Sequence, residues 1–169
     1  MPEIAWDDRK LSLTVAEFRE QLKDYISGRD ERLIDLFFLP NDNAQVLRLL
    51  RKQEPDGALS TVYPVKLLED EKQEPDKTIP AYLREFITDF KEEHLRYDVS
   101  PENVLSWMYY DYMMKADNQL VKRYAEFSMN LKNLVTALNA RKYGMEVAKE
   151  VIGSNEFAVA LRTSNAKDF

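Results

Sequence analysis

The sequence predicts an all-α protein, and three observations support that prediction. Apolar residues recur at helical spacing in successive segments, and several of these segments begin with a capping sequence and end at Gly or Pro. No segment shows the sustained alternation of apolar and polar residues that is typical of a half-buried strand. The longest helical pattern lies between residues 119 and 143. We therefore expect a multi-helix bundle with a long central helix.

The first helix is expected to begin directly after Thr14. Thr14 and Glu17 have the spacing of a capping box, in which each side chain accepts a hydrogen bond from the main chain of the other residue. Apolar residues follow at helical spacing, and Gly28 is the predicted stop. A second helix is expected over about residues 30–39. It is apolar on nearly all sides, so we expect it to be central.

Pro40 is predicted to end this second helix, because proline cannot continue the hydrogen-bond ladder. A third helix then runs to about residue 52. The segment 62–68 is compatible with a short helix or with an extended piece. The acidic stretch 69–77 is interpreted as a linker, because charge and proline dominate it.

Two later helices have clear beginnings. Pro80 opens one, and Ser100 followed by Pro101 opens the next, since proline is tolerated in the first turn of a helix. The second of these helices runs into an aromatic and methionine-rich stretch, for which a core role is favoured over a ligand site. The predicted core side consists of Leu105, Trp107, Met108 and Tyr112. The remaining residues are left to meet another helix or a partner, and they are Tyr109, Tyr110, Met113 and Met114.

The longest helix is predicted to begin after Asn118 and to end at Gly144. Its apolar residues are spaced 4-3-4-3-4, which is the spacing of a heptad seam. This seam consists of Leu120, Tyr124, Phe127, Leu131, Leu134 and Leu138. It is short, so we expect it to pack against an antiparallel helix of the same chain. Gly153 is predicted to close one further short helix, and Ser154 to cap the last one.

The 169 residues are interpreted as one helical domain spanning 1–169. Two smaller units, 1–68 and 78–169, are conceivable on either side of the acidic linker 69–77. Neither end has the composition of a tail, and we expect the chain to be trimmed at both ends.

Composition excludes several classes of site. Without Cys the chain has no disulfide, thiolate nucleophile or cysteine-ligated metal, and one His excludes a multi-histidine metal site. Four scattered Gly form no phosphate-binding loop. The net charge of −6 argues against nucleic acid as the main partner, and no apolar run is long enough to span a bilayer. We therefore predict no catalytic residue, cofactor or metal, and a cytoplasmic location that is at most peripheral at the inner face of the membrane.

His94 is the one candidate for an unrecognised enzyme. It follows Glu92 and Glu93, and a catalytic histidine needs an orienting carboxylate and a reacting partner. A surface histidine near a helix end is the favoured interpretation. The enzyme alternative predicts a pocket in which His94 meets two or more acidic side chains.

Charge is unevenly distributed along the chain. Residues 115–149 contain seven Lys or Arg and three Asp or Glu, so their local charge is +4. Because the whole chain has a net charge of −6, the other residues together carry −10. This separation favours docking of the long helix to an acidic protein surface, although a solvated helix face is the simpler explanation.

Two segments share a pattern in which Asn is followed by Arg-Lys eight and nine residues later. The first runs from Asn43 to Arg51 and Lys52, and the second from Asn133 to Arg141 and Lys142. A buried Asn can hydrogen-bond a crossing helix, and Arg can bind main-chain carbonyls or a carboxylate. We interpret the repeat as a duplicated helical motif.

The segments 33–43, 130–144 and 161–165, together with this repeat, resemble an uncharacterised bacterial family associated with V-type ATPase operons. That family is in turn similar to the funnel-shaped stalk component of V/A-type ATP synthases, which is designated C in those enzymes and d in eukaryotic V-ATPases. This funnel protein is not an enzyme; its helical body couples the central stalk to the membrane rotor ring. It usually has three repeated helical units, whereas two echoes are found here.

The resemblance implies a non-catalytic subunit or accessory protein that links central stalk and rotor through protein contacts. It implies structural or contact roles for the repeated residues, and the two tyrosines are further contact candidates. The full set is Asn43, Arg51, Lys52, Asn133, Arg141, Lys142, Tyr109 and Tyr110. A general helical adaptor, unrelated to rotary ATPases, is the alternative.

Overall fold

The computed structural model describes residues 13–73, 78–96 and 98–164, and within them the chain is helical with no strand. The all-α prediction is confirmed. The helices are α1 (Val15–Lys23), α2 (Gly28–Asp35), α3 (Leu39–Leu50), α4 (Val65–Gln73), α5 (Ala81–Lys91), α6 (Pro101–Met114), α7 (Gln119–Tyr143), α8 (Val147–Glu150) and α9 (Glu156–Thr163). Within these residues, each helix is either too short or too polar to cross a membrane.

Capping boxes begin the first two helices. The predicted box at α1 is confirmed: Glu17 N–H donates to Thr14 Oγ1 at 3.2 Å, and Thr14 N–H donates to Glu17 Oε2 at 2.8 Å. A second box joins Ser27 and Asp30, with Asp30 N–H donating to Ser27 Oγ at 3.3 Å. The prediction that Gly28 ends a helix is therefore wrong, because Ser27 caps α2 and makes Gly28 its first residue.

The second helix is shorter and more exposed than predicted. It ends at Asp35, none of its residues is buried, and a turn over 36–38 separates it from α3. Pro40 lies in the first turn of α3, where its missing N–H has no partner to lose. Pro40 thus belongs to the start of a helix and does not end one, and the prediction of a central helix over 30–39 is wrong.

The described part of the acidic segment after residue 68 is helical. Residues 69–73 continue α4, and Glu71 is buried, so this part of the predicted linker is a helix. Leu68 of α4 is fully buried in the core, and this packing stabilises the helix. Residues 74–77 lie outside the described residues.

The predicted starts of α5 and α6 are confirmed, but α6 buries a different face. Its buried residues are Leu105, Tyr109 and Met113, one row spaced four residues apart. The side predicted from Trp107, Met108 and Tyr112 is only half-buried. The row four residues apart is favoured because α6 packs against α3 and α5 as well as against α7.

α7 has the predicted bounds. Asn118 Oδ1 accepts from Val121 N–H at 3.1 Å, and Gly144 closes the helix with φ +69°. The C-terminal helices α8 and α9 pack against α7. The predicted cap of the last helix is off by one residue, because Asn155 and not Ser154 accepts the first-turn N–H. α8 ends at Glu150, three residues before Gly153, because the chain becomes extended at Val151.

The buried residues form two groups. The larger one joins α3, α4, α5, α6 and the N-terminal half of α7. The smaller one joins the C-terminal half of α7 to the chain after it, through Ala137, Val151, Ala158 and Leu161. α7 thus takes part in both groups, whereas its central placement and the duplicated motif stay predictions.

Candidate functional site

The polar face of α3 holds the loop that follows the helix. The Asp42 carboxylate accepts from the main-chain N–H groups of Val62 and Tyr63, each at 2.9 Å. Burial raises the pKa of Asp42, and these two hydrogen bonds act in the opposite direction. Gln45 is fully buried and accepts from Asp56 N–H at 3.1 Å. These buried polar groups are used to fold the loop onto α3.

Asn43 makes the crossing-helix contact expected from the sequence. Its Oδ1 accepts from the Tyr82 hydroxyl of α5 at 2.7 Å, and both residues are buried. Burial is the main cause that raises the pKa of Tyr82 well above its usual value. Asn43 therefore ties α3 to α5 from the inside of the fold.

The cations at the end of α3 lie on the surface. Arg51 Nη1 contacts Glu102 Oε1 of α6 at 2.6 Å, and this hydrogen bond lowers the pKa of Glu102. Because both side chains are about half exposed, the pair adds little stability. Lys52 is exposed with φ +58°, just beyond the helix end.

The second Asn of the repeat has different partners. Asn133 is buried on α7, donating through Nδ2 to Ile152 O at 2.8 Å and accepting from Ile152 N–H at 2.9 Å. This pair of bonds fixes segment 151–153 against α7. Arg141 Nη2 donates to the carbonyls of Leu161 and Ser164 at 3.1 and 3.0 Å. Lys142 is exposed at the end of α7, 5.4 Å from the ring of Tyr143.

The two tyrosines of α6 differ in burial. Tyr109 is buried and its hydroxyl donates to the Leu36 carbonyl at 3.1 Å, which joins α6 to the turn before α3. Tyr110 is half-buried, and its ring lies 5.1 Å from that of Tyr109. Of the contact candidates, Asn43, Tyr109 and Asn133 are thus inside the fold, and the exposed ones are Arg51, Lys52 and Lys142.

Among the residues that the structure describes, the surroundings of His94 do not form the pocket that the enzyme alternative requires. Its side chain is 64% exposed, and one carboxylate, Glu92 Oε2, lies 3.2 Å from its Nδ1. Over residues 13–73, 78–96 and 98–164, no group of three or more Asp, Glu or His side chains is placed to hold a metal ion.

The main surface feature is an apolar stripe on α7. Leu120, Phe127 and Leu131 are 74%, 66% and 50% exposed. We call the following set of exposed residues the α7 stripe: Leu120, Tyr124, Phe127, Leu131, Val135 and Leu138. It contains five of the six residues of the predicted heptad seam. The prediction that this seam packs against a helix of the same chain is therefore wrong for the most part.

α7 buries the opposite face instead. At 100° per residue, its buried residues point roughly away from the α7 stripe, and they are Val121, Ala125, Met129, Asn133, Ala137 and Ala140. Three of them are alanines, which let α6 and the chain after α7 approach its backbone closely. The sequence signal for this face was a row at spacing four that mixes small, polar and apolar residues, and it is weaker than the signal of large apolar residues.

Comparison with known proteins gives one family. The family model for DUF2764, a protein family of unknown function, matches residues 1–169. The chain belongs to the DUF2764 family. Searches of curated proteins and of solved structures found no match for this DUF2764 protein.

Proposed function

We propose that this DUF2764 protein is a non-catalytic helical subunit or accessory protein of a bacterial V-type ATPase, linking the central stalk to the membrane rotor. The observation that carries the proposal is the division of roles among its residues. The polar groups inside the fold hold helices and loops together, whereas the apolar α7 stripe lies exposed on the described surface. Such a stripe is typical of a surface that contacts protein.

The V-type ATPase is named because of the sequence resemblance to the family found in its operons. The proposed mechanism is mechanical: a stiff helical body transmits torque and sets the fit between stalk and ring. Stiffness is supported by the two Asn contacts, since Asn43 ties α3 to α5 and Asn133 ties α7 to segment 151–153. Buried, hydrogen-bonded amides of this kind give a fold one defined arrangement.

The test is purification from the native bacterium. An affinity tag on this chain, with membranes solubilised in a mild detergent, is expected to recover the ATPase subunits, and a tag on a stalk protein is expected to recover this chain. Deletion of the gene is expected to leave ATP hydrolysis by the soluble head intact while proton or sodium pumping is lost. Reciprocal purifications that never contain both proteins would refute the assignment.

A matched pair of variants tests whether the exposed end of α3 takes part. Lys52→Glu reverses the charge of a contact candidate, and Lys66→Glu reverses an exposed charge on α4. We expect recovery of ATPase subunits to fall for Lys52→Glu only. An equal recovery from both variants would remove Lys52 from the contact.

The alternative is a helical adaptor unrelated to rotary ATPases, for which the exposed α7 stripe would serve equally well. The same purification separates the two proposals. A reproducible partner set without ATPase subunits would favour the adaptor.

A further inference from the structure

The α7 stripe is open along most of the helix. Its residues run from Leu120 to Leu138, which corresponds to about 27 Å of helix. In the described part of the chain, one ring partially covers this surface, where Phe37 lies 4.8 Å from Tyr124. The remaining large side chains are between 39% and 74% exposed to water.

The spacing of the stripe is nearly the same when it is read backwards. From Leu120 to Leu138 the intervals are 4-3-4-4-3, and in reverse they are 3-4-4-3-4. When two α7 helices pack antiparallel about a two-fold axis at the level of residue 129, the apolar positions of one stripe therefore face the apolar positions of the other. Leu120 then lies opposite the partner's Leu138, and Phe127 lies opposite the partner's Leu131. A two-fold interface requires this kind of self-complementary patch.

The charges beside the stripe favour the antiparallel arrangement. Asp117 is exposed just before α7, and Lys142 is exposed at its end. With the axis near residue 129, Lys142 lies within about one residue of the partner's Asp117, so two opposite-charge pairs form. The two copies of Arg123 lie about 18 Å apart, beyond the screening length of about 8–10 Å. A parallel pair would instead place Arg123 beside Arg123 and Lys142 beside Lys142.

The positive charge of α7 is partly directed into its own chain. Lys132 donates to Ser106 Oγ of α6 at 2.7 Å, and Arg141 donates to main-chain carbonyls near the end of α9. Both side chains are therefore bonded within their own chain. Repulsion between two copies is therefore smaller than the sequence charge of the region implies.

The exposed area is enough for a weak dimer. Six residues of roughly 200 Å² each, at the exposures found, leave on the order of 600 Å² of mainly apolar surface. Complete burial of two such stripes removes at most about 1,200 Å² from water, which is the lower limit for specific protein interfaces. Contacts along the rim add to this area.

We propose that the α7 stripe is a self-association surface, where a second copy of this chain binds in antiparallel orientation about a two-fold axis near residue 129. The dimer goes beyond the proposed ATPase role but uses the same exposed stripe, and it is tested separately on the purified chain alone. Phe127 and Leu131 lie at the centre of the interface, where substitutions have the largest effect.

The first experiment measures mass by sedimentation velocity, at chain concentrations rising to the order of 100 µM because interfaces of this size are weak. The expected mass approaches twice 19.9 kDa. Leu131→Glu is expected to weaken dimerisation at least tenfold and to leave the helical circular dichroism unchanged, since Leu131 is half exposed. Tyr25→Glu is the control, because Tyr25 is exposed between α1 and α2, and it should dimerise like wild type.

The second experiment determines orientation and uses the absence of cysteine from the chain. A mixture of Leu120→Cys and Leu138→Cys chains is expected to form a disulfide-linked heterodimer under mild oxidation. Leu120→Cys alone should not cross-link, because the two copies lie about 27 Å apart along the axis.

A monomer at every concentration, or a dimer that Leu131→Glu does not affect, would overturn the proposal. Cross-linking of Leu120→Cys to itself would overturn the antiparallel arrangement. A monomer whose Leu131→Glu variant no longer recovers ATPase subunits would assign the stripe to the ATPase. In that case self-association fails while the proposed function stands.

Discussion

Replacing Gly153 with alanine tests how tightly segment 151–153 is packed against α7. Gly153 has φ +82°, and a Cβ built there would lie 3.0 Å from Met129 Sδ and 3.1 Å from Trp107 Cζ3. Ordinary contacts between such atoms are about 3.5–4.0 Å. Alanine at this position therefore adds both backbone strain and overlap with two side chains.

Gly144 provides the matched control. It has φ +69°, and a Cβ there would have no atom within 4 Å. Gly144→Ala is thus expected to lose about 1–2 kcal/mol of unfolding free energy through the left-handed backbone alone. Gly153→Ala adds an overpacking cost of about 1–3 kcal/mol, because Met129 is buried and cannot move freely outwards.

The measurement is urea unfolding monitored by circular dichroism. The unfolding free energies of the two variants are compared with equal m-values, the slopes of free energy against urea concentration. In thermal unfolding of a chain of this size, each kcal/mol of unfolding free energy corresponds to about 2–4 °C in Tm. Gly153→Ala should therefore melt several degrees below Gly144→Ala. Fluorescence of Trp107 should change in the folded state of Gly153→Ala only. Equal stabilities of the two variants, within about 0.5 kcal/mol, would refute the tight packing of this segment.

Three further outcomes are expected from unfolding measurements. Asn133→Ala should lower the free energy of unfolding by about 2–4 kcal/mol, because the buried N–H and C=O of Ile152 lose their partner. Asn139→Ala, on the exposed side of α7, should change it by no more than about 0.5 kcal/mol. Tyr109→Phe should lose about 1 kcal/mol through one hydrogen bond to a main-chain carbonyl; no change in urea midpoint would contradict this. Burial raises the pKa of Asp42 in the folded state. The resulting contribution of the protonated carboxyl to stability is fully present below the unfolded-state pKa of about 3.9 and is lost as pH rises through the folded-state pKa. The stability difference between wild type and Asp42→Asn should therefore move in favour of wild type as pH falls through that window, and a pH-independent difference would contradict the pKa direction.

Many helix boundaries were predictable because the interactions that set them are local. Thr14 with Glu17 at α1 and Ser100 before Pro101 at α6 act within three or four residues, so their patterns can be read directly. Gly144 likewise marks the end of α7. Where prediction failed, as at Gly28, two local signals competed. A glycine that could end α1 also followed Ser27, whose capping box with Asp30 is made of two reciprocal hydrogen bonds.

The residues of the candidate site could be predicted from the sequence, but the face of α7 that is buried could not. The sequence by itself determined that α7 is one long helix with a heptad seam and that an Asn followed by Arg-Lys recurs in two segments. Only the tertiary structure decided which face of α7 is covered. Large apolar residues have the stronger pattern, yet close approach of α6 and of segment 151–153 requires a surface of small residues. Asn133 adds two hydrogen bonds that exist only when its face is inside, and the α7 stripe is left on the outside for a second molecule.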